Sequence, residues 1–205
     1  VYTWPARSID DKVYYLKPRG FHIAGSLSEC INNRNRRDTI RSSFSSEASS
    51  GNFFLGPALE GFYIPVKNHI LLMRRSRSIV YETPKLINNS SIRGNVILNI
   101  RLSLNQKKGQ VFFYLYDVDK LGCATFITHG FRTFWDVKPD EIMRVKINFV
   151  TIAYDLKEGH RLAVVMDTSD AQYGKPTLLP FKVSVHYGKN YDEQSVLVIP
   201  DDEDI

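Results

Sequence analysis

Hydrophobic and polar residues alternate along most of this chain with a period of two. In residues 95–104 an aliphatic residue occupies every second position, and polar residues lie between them. The same alternation runs through residues 144–152 and 181–187. Successive side chains of a β-strand point to opposite faces, so the pattern predicts strands of a sheet that is buried on one face and solvated on the other.

Residues 110–118 show a different pattern, because nearly every position is apolar. Such a run predicts a central strand that is covered on both faces. Shorter β-prone runs predict further strands at residues 78–82, 161–167 and 195–199. Glycines that suit a turn with positive φ occur between the runs, at residues 105–110, 156–161 and 170–176.

No segment shows the periodicity of an amphipathic helix of ten or more residues. Many short strands joined by turns therefore predict an all-β fold, a jelly-roll (galactose-binding-like) β-sandwich. We expect residues 1–205 to form one such domain. Residues 31–52 are rich in Ser, Asn and Arg and predict a long polar loop, and residues 200–205 predict an acidic C-terminal tail.

The net charge narrows the range of partners. Lys and Arg outnumber Asp and Glu by 27 to 22, so the formal net charge is +5. The densest basic segments, residues 34–41 and 73–77, lack the interleaved aromatic residues of a nucleic-acid stacking platform. No apolar run approaches the ~18 residues of a membrane span. We therefore expect solvated charge there, and neither nucleic acid nor a membrane as partner.

Cysteine and histidine usage gives no metal-site pattern. Cys30 and Cys123 are the two cysteines, and they form no C-x-x-C pair. The histidines are scattered, without the H-x-H or H-E-x-x-H spacing that binds zinc. No glycine-rich loop is present that would cradle a phosphate. We predict no metal and no cofactor, and two free thiols favour a reducing, cytoplasmic location.

One stretch, YLYDVDKLGCATFITHG at residues 114–130, holds acids, a cysteine and a histidine close together. Asp117, Asp119 and Gly122 fit part of an EF-hand calcium loop, but Leu121 and Thr128 stand where that loop needs carboxylate or amide ligands. The favoured interpretation is a hairpin, in which Asp117 ends a strand and Gly122 lets the chain reverse.

The sequence also lacks the pattern of a nucleophile's active site. No G-x-S-x-G elbow occurs in it. Cys123 and His129 are six residues apart along one predicted strand. That spacing puts them on the same face but about 20 Å apart, too far to exchange a proton. From its residues alone, the chain is predicted to be non-catalytic.

Two segments carry the pattern of a known family. FYLYDVDKLGCATFITHGFRTF has a D-V-D-x-x-G turn followed by an A-T…T-x-G-F-R strand, and RVKINFVTIAYDLKEGHRLAVVMDTSDAQYGKP has an x-x-G-H-R-L turn, an aliphatic strand and an S-D pair. The chain thereby resembles the C-terminal domain of the X-Pro dipeptidyl-peptidases and cocaine-esterase-like (CocE/NonD) serine hydrolases. The matching residues are Asp117, Val118, Asp119, Gly122, Ala124, Thr125, Thr128, Gly130, Arg132, Gly159, His160, Arg161, Leu162, Ser169 and Asp170.

Weaker similarity extends the resemblance over roughly residues 3–199. RRSRSIVYETPKL, at residues 74–86, is similar to the family's strand and Y-x-[ST]-x-P-L turn, although Ser78 stands where the family has Asp. TWP, and YYLKPRG at residues 14–20, are similar to the opening of the family's domain.

The resemblance implies a jelly-roll sandwich, in agreement with the alternation. It also implies a Ser-Asp-His triad in an upstream α/β-hydrolase domain, on which the sandwich packs and whose substrate access it shapes. Because the chain begins with Val rather than Met, we expect it to be the C-terminal part of such a hydrolase. The apolar, Gly-rich loop 44–65 is expected to supply a substrate-pocket wall at Phe53, Phe54 and Leu55. The residues expected to be structural are Asp117, Asp119, Gly122, Gly159, His160 and Arg161.

Several hypotheses remain open at this point. The parent enzyme could release an Xaa-Pro dipeptide or cleave a small ester or amide, and the oligomeric state, including a homo-oligomer, is undetermined. The alternative is a free-standing carbohydrate-binding module, since jelly rolls often bind sugars. Its aromatic platforms would be Trp4, Trp135 and Tyr173, although Trp135 is expected to pack beside Phe131 and Phe134. A third hypothesis, catalysis within the domain itself, lacks any motif.

Overall fold

A computed structural model describes residues 10–20, 24–42, 67–69, 77–170 and 179–202 of the protein. Within these ranges the chain forms strands and one 3-10 turn, Tyr191–Glu193, and no α-helix, so the predicted all-β class is confirmed. The strands are β1 (Asp10–Lys17), β2 (Gly25–Ser28), β3 (Arg36–Arg41), β4 (Lys67–His69), β5 (Ile79–Glu82), β6 (Ser90–Gly94), β7 (Ile97–Leu104), β8 (Gly109–Val118), β9 (Cys123–Phe134), β10 (Met143–Asn148), β11 (Ile152–Leu156), β12 (Arg161–Asp167), β13 (Lys182–Tyr187) and β14 (Val196–Asp202).

The strands form one continuous hydrogen-bonded sheet that folds over itself. Its order is β3-β13-β7-β14-β1-β2-β5-β12-β8-β9-β4, with β10 beside β7, and β6 between β14 and β11. Every described pair is antiparallel except β2–β5. The inward residues of β7, such as Leu98 and Ile100, share one buried cluster with those of β8, such as Phe113 and Leu115. The alternating aliphatic positions therefore bury themselves between two layers, as in a β-sandwich.

The strand β8 is buried on both faces, as its sequence predicts. Val111, Phe113 and Leu115 point into the central core. Phe112 and Tyr114 point the other way, into a second buried cluster that also includes Val80 of β5 and Val165 of β12. A strand in this position has no polar face, which explains the unbroken apolar run in the sequence.

The prediction of a loop over residues 31–52 is wrong for residues 36–41, which form β3. Asp38 and Ile40 point inward and their neighbours are exposed. The period-two pattern is hidden because its inward position is an acid, whose carboxylate accepts hydrogen bonds from the Arg19 amide at 2.9 Å and the Tyr187 hydroxyl at 3.0 Å. Residues 43–50 of the predicted loop lie outside the described residues.

The predicted acidic tail also begins inside a strand. Residues 200–202 belong to β14, and Asp201 is 1% exposed, paired with Lys12 and Ser90. The predicted strand at residues 144–152 divides into β10 and β11. Phe149 still points inward beside β7, but the next amide, that of Val150, donates to the carbonyl of His129 on β9 at 3.0 Å, so the chain leaves β7 at this point.

Candidate functional site

The hairpin between β8 and β9 is held by the side chain of Asp119. Its Oδ1 accepts hydrogen bonds from the amides of Leu121 at 2.8 Å and Cys123 at 2.9 Å. Gly122 has a φ of 89°, which glycine adopts without strain. The Cys123 amide in particular lowers the pKa of Asp119, because it bonds the charged form. Asp119 and Gly122 thus form the turn predicted from the sequence.

Asp117 and His160 join the D-V-D-x-x-G turn to the x-x-G-H-R-L turn, the two fingerprint turns of the family pattern. Asp117 Oδ1 accepts a hydrogen bond from His160 Nδ1 at 2.8 Å, and its Oδ2 accepts one from the hydroxyl of Tyr154 at 3.1 Å. Burial and the neighbouring Asp117 carboxylate raise the pKa of Tyr154, so the phenol stays protonated as a donor. One carboxylate therefore joins β8 to β11 and to the turn before β12.

The segment after β5 completes this cluster. The Leu86 amide donates to the His160 carbonyl at 2.8 Å, and the Gly159 amide donates to the Leu86 carbonyl at 2.9 Å. Gly159 has a φ of 78°. Arg161, next along the chain, pairs with Glu82 of β5 at 2.9 Å. The three similar segments, far apart in sequence, therefore meet at one end of the sandwich.

The described contacts of this fingerprint cluster link turns to neighbouring strands. Within the described residues no hydroxyl or thiol hydrogen-bonds to the His160 ring, so the Asp117–His160 pair has no nucleophile to activate. In the same part of the chain no group of three or more His, Cys, Asp or Glu residues could hold a metal ion. The carboxylate oxygens of Asp117 and Asp119 accept hydrogen bonds that hold the turns in place.

Cys123 and His129 do not lie on one face of β9, contrary to the sequence-based expectation. The register with β8 shifts after Leu115, where Ile127 is an extra residue, a β-bulge. The bulge reverses the alternation, and His129 stacks on Phe126 with ring centroids 6.1 Å apart. Cys123 and His129 therefore point to opposite faces, which separates them further.

A serine–histidine pair that the sequence does not reveal is formed by Ser103 and His186. The Ser103 Oγ and His186 Nε2 atoms lie 2.9 Å apart on neighbouring strands. Burial and the positive charges of Arg37 and Arg101 lower the pKa of His186. A catalytic histidine base is normally flanked by a carboxylate that stabilises its charged form, whereas here cations oppose that form. The pair is therefore poorly suited to nucleophilic catalysis, and its residues are 83 apart in sequence, with no local motif.

A cleft of about 870 Å³ opens beside the fingerprint cluster. Its walls come from β1, β2 and the segment after β5, and its charged residues are of both signs: Lys12, Glu29, Lys85 and Glu158. The exposed thiol of Cys30 also lines it. No described histidine does, so the thiol has no general base there. The described lining of the cleft therefore contains no pair of nucleophile and base.

The sequence-predicted pocket wall, Phe53, Phe54 and Leu55, lies outside the described residues. So do Trp4 and Tyr173, two of the three aromatic platforms considered for carbohydrate. Trp135, the third, is 73% exposed and does not pack in the core as expected. The ammonium group of Lys108 lies over its ring, 3.5 Å from the centroid.

Sequence comparison identifies the family of this sandwich. The profile of the X-Pro dipeptidyl-peptidase C-terminal non-catalytic domain matches residues 2–192. The chain belongs to this family. The fingerprint residues from Asp117 to Asp170 all lie within the matched range. A comparison with curated protein sequences finds no significant match.

Solved structures of hydrolases share the fold of this X-Pro dipeptidyl-peptidase C-terminal domain. An aminopeptidase from a marine sediment archaeon (Thaumarchaeota archaeon) aligns with a TM-score of 0.77 and 13% identity over 97% of this chain and 38% of its own. An α-amino acid ester hydrolase aligns with a TM-score of 0.74 and 12% identity, over 94% and 36%. A CocE/NonD family hydrolase from Staphylococcus aureus aligns with a TM-score of 0.65 and 13% identity, over 97% and 38%.

The chain thus spans little more than a third of the length of these hydrolases. At such identities the alignments establish the β-sandwich fold, as expected from the alternating sequence. No helix in the described part of the chain is long and apolar enough to cross a membrane.

Proposed function

We propose that this domain is the accessory β-sandwich of a larger serine hydrolase, where it packs on an upstream α/β-hydrolase domain and shapes substrate access. The best support for the proposal is that the chain matches only part of the length of the similar hydrolases. The chain aligns with three hydrolases over 94–97% of its own residues but over 36–38% of theirs. The remainder of such a polypeptide is long enough for a catalytic domain with its own triad.

The parent reaction in this proposal is acyl transfer through a serine, either release of an Xaa-Pro dipeptide or cleavage of a small ester or amide. The relatives of known structure include both an aminopeptidase and an ester hydrolase, so both reactions stay open. We place the parent in the cytoplasm, where the free thiols Cys30 and Cys123 would remain reduced. The jelly-roll connectivity and the pocket wall at Phe53, Phe54 and Leu55 remain predictions from the sequence.

The isolated domain is expected to show no turnover of Xaa-Pro-anilide or aryl ester substrates. The full polypeptide that contains it is expected to hydrolyse at least one of them, because the proposal assigns the triad to the upstream domain. Initial rates with the two purified proteins check this. Ser103→Ala, which removes the Ser–His pair, is the control. Activity of the isolated domain that Ser103→Ala abolishes would contradict the proposal, and activity that survives in Ser103→Ala would point to a contaminant.

The carbohydrate-binding module is the second candidate, favoured by the exposure of Trp135. A sugar ring stacks on a flat aromatic face, and Lys108 already occupies one face of this ring. Calorimetric titration with neutral oligosaccharides distinguishes the two functions. Saturable binding that Trp135→Ala abolishes would favour the carbohydrate module, whereas no heat of binding is expected for the accessory domain.

A further inference from the structure

Four strands that are distant in sequence place a row of basic side chains on the outer face of one layer. The strands are neighbours in the order β10, β7, β13, β3. Arg144 lies opposite Arg101 on the first pair, and His186 lies opposite Arg37 on the last pair. His186 and Arg101 each lie one residue beyond the last described pair of β13 and β7, and Arg101 is close enough to lower the pKa of His186. Arg144, Arg101, His186 and Arg37 therefore form one continuous row.

More cations surround this row on the same face. Lys146 follows Arg144 on β10, and Lys182 of β13 lies opposite Arg41 of β3. Lys146, Lys182, Arg41 and Arg37 are all exposed. We call these seven residues the basic face; they are Arg37, Arg41, Arg101, Arg144, Lys146, Lys182 and His186.

Little negative charge compensates the basic face. Glu193 Oε1 lies 3.8 Å from Arg101 Nη1, and Arg144 donates a hydrogen bond to the backbone carbonyl of Asp192. In the described part of the chain the other four lysine and arginine side chains of the face form no ion pair. Like charges on opposed strand positions destabilise a sheet. The positive field is also felt by His186, whose pKa is lowered by burial and by Arg37 and Arg101.

Protection of a sheet edge does not account for this arrangement. Charged residues on an edge strand such as β3 discourage pairing with another chain. Arg101 and Lys182, however, lie on β7 and β13, which have paired strands on both sides. Their charges therefore need another explanation, and an anionic partner would remove the repulsion.

Hydroxyl groups between the cations add hydrogen-bond donors for an anion. Thr39 Oγ1 and Ser184 Oγ lie 2.8 Å apart on opposed positions of β3 and β13. Carboxylate oxygens accept hydrogen bonds from hydroxyl and guanidinium groups alike, so the face offers both kinds of contact to acidic side chains.

The basic face continues into a cleft of about 390 Å³ between β9 and β10, which is lined by both polar and apolar residues. Arg144 and Lys146 belong to both surfaces. Trp135, Met143 and Val137 supply the apolar part of the cleft. Aromatic residues, Met and Arg are enriched in protein–protein interfaces, and exposed Trp and Arg residues there carry much of the binding energy.

We propose that the basic face and this cleft bind an acidic surface of another folded protein or domain, with one apolar side chain of the partner beside Trp135. The outward positions of the four strands are Asn, Ser, Thr, Lys, Arg and His, together with Ile97 of β7, and include no aromatic residue on which successive bases could stack. Ile97 is partly buried and is surrounded there by polar residues, so the face lacks the apolar surface that enters a bilayer. The inference goes beyond the proposed function, because it specifies the chemistry of the surface that is bound: acidic side chains around one apolar residue.

Titration calorimetry of this domain with defined polymers tests the proposal. The probes are poly-L-glutamate and a random copolymer of glutamate and tyrosine, at about 0.1 M NaCl, where charges still interact over about 10 Å. We expect both to bind, and the copolymer to bind at least about threefold more tightly, because tyrosine can enter the cleft. Trp135→Ala should remove the advantage of the copolymer and leave binding of poly-L-glutamate unchanged.

A matched pair of double variants separates the basic face from net charge. Arg37→Gln with Lys146→Gln removes two unpaired cations of the face and should weaken binding about tenfold. Lys85→Gln with Lys157→Gln removes two exposed cations elsewhere and should change binding less than about twofold. The pKa of His186, followed by NMR, should rise on binding, because nearby carboxylates favour the charged imidazolium.

Several outcomes would overturn the proposal. If both double variants weaken polymer binding equally, the polymers are attracted by the net charge of the domain and not by the basic face. Tighter binding to a single-stranded oligonucleotide, or to phosphatidylserine-containing vesicles, than to the copolymer would assign the face to nucleic acid or to a membrane. Absence of binding to either polymer by the unsubstituted domain would also contradict it. Thermal unfolding of each variant verifies that loss of binding is not loss of the fold.

Discussion

A single carboxylate, Asp117, connects turns that lie 43 residues apart in sequence. Replacing Asp117 with Ala would leave the His160 Nδ1–H and the Tyr154 hydroxyl without their acceptor in a largely buried site. The expected loss of unfolding free energy is about 1–3 kcal/mol. Urea denaturation followed by fluorescence measures it. Asp119→Asn is the control, because an amide oxygen can still accept the bonds from Leu121 and Cys123, and it should destabilise the domain much less than Asp117→Ala. Equal stabilities of Asp117→Ala and the unsubstituted domain would show that the cluster contributes nothing.

The residues of this cluster could be predicted because each belongs to a short sequence motif. Contacts between residues without such a motif could not be predicted. Gly122 and Gly159 have positive φ, and Asp119 bonds amides two and four residues ahead, so each leaves a short motif. Ser103 and His186 meet only through the register of two strands, which no local pattern encodes. Their contact could not be predicted without the topology.

The strand β9 shows how one element depends on another across the sandwich. A Cβ atom on Gly130 would lie 2.7 Å from Ile147 Cγ2 and 2.9 Å from the carbonyl oxygen of Asn148, both on β10. Gly130→Ala is therefore expected to destabilise the domain by about 1–3 kcal/mol through overpacking, measured by thermal or urea unfolding. Gly20 has no atom within 4 Å of such a Cβ, so Gly20→Ala should be neutral or slightly stabilising. A Gly130→Ala domain as stable as Gly20→Ala would mean that the layers separate at no cost.

Strand prediction succeeded where a long run of aliphatic residues fills the inward positions, whereas the shorter apolar patterns of β1, β2 and β6 were missed. β7, β8, β12 and β13 were located to within two residues, because aliphatic side chains fill their inward positions. β3 was missed because Asp38 points inward, in contact with Arg19 and Tyr187. The bulge at Ile127 escaped prediction because an extra residue in a strand is set by the partner's register.

The charge of the whole molecule gives little indication of how that charge is arranged. A net charge of +5 on 205 residues is mild, and the basic segments of the sequence appeared isolated. The wet faces of β7, β10 and β13 were each predicted correctly. Their adjacency, together with β3, depends on a strand order that links residues 37, 186, 101 and 144. Folding therefore brings together, on one face, positive charges that are dispersed along the sequence.

This concentration predicts an unusual dependence of stability on salt. Raising NaCl from about 0.1 M to about 1 M shortens the Debye length from about 10 Å to about 3 Å, less than the spacing of opposed side chains in a sheet. Screening should relieve the repulsion within the basic face, so the unfolding temperature should rise with salt. The variant Arg37→Gln with Lys146→Gln should start at an equal or higher unfolding temperature in low salt and gain less from added salt. Lys85→Gln with Lys157→Gln should keep the slope of the unsubstituted domain, since those cations face no others across a strand pair. Parallel slopes for all three proteins would mean that Glu193 and solvent already neutralise the face, and would remove the physical reason for an acidic partner.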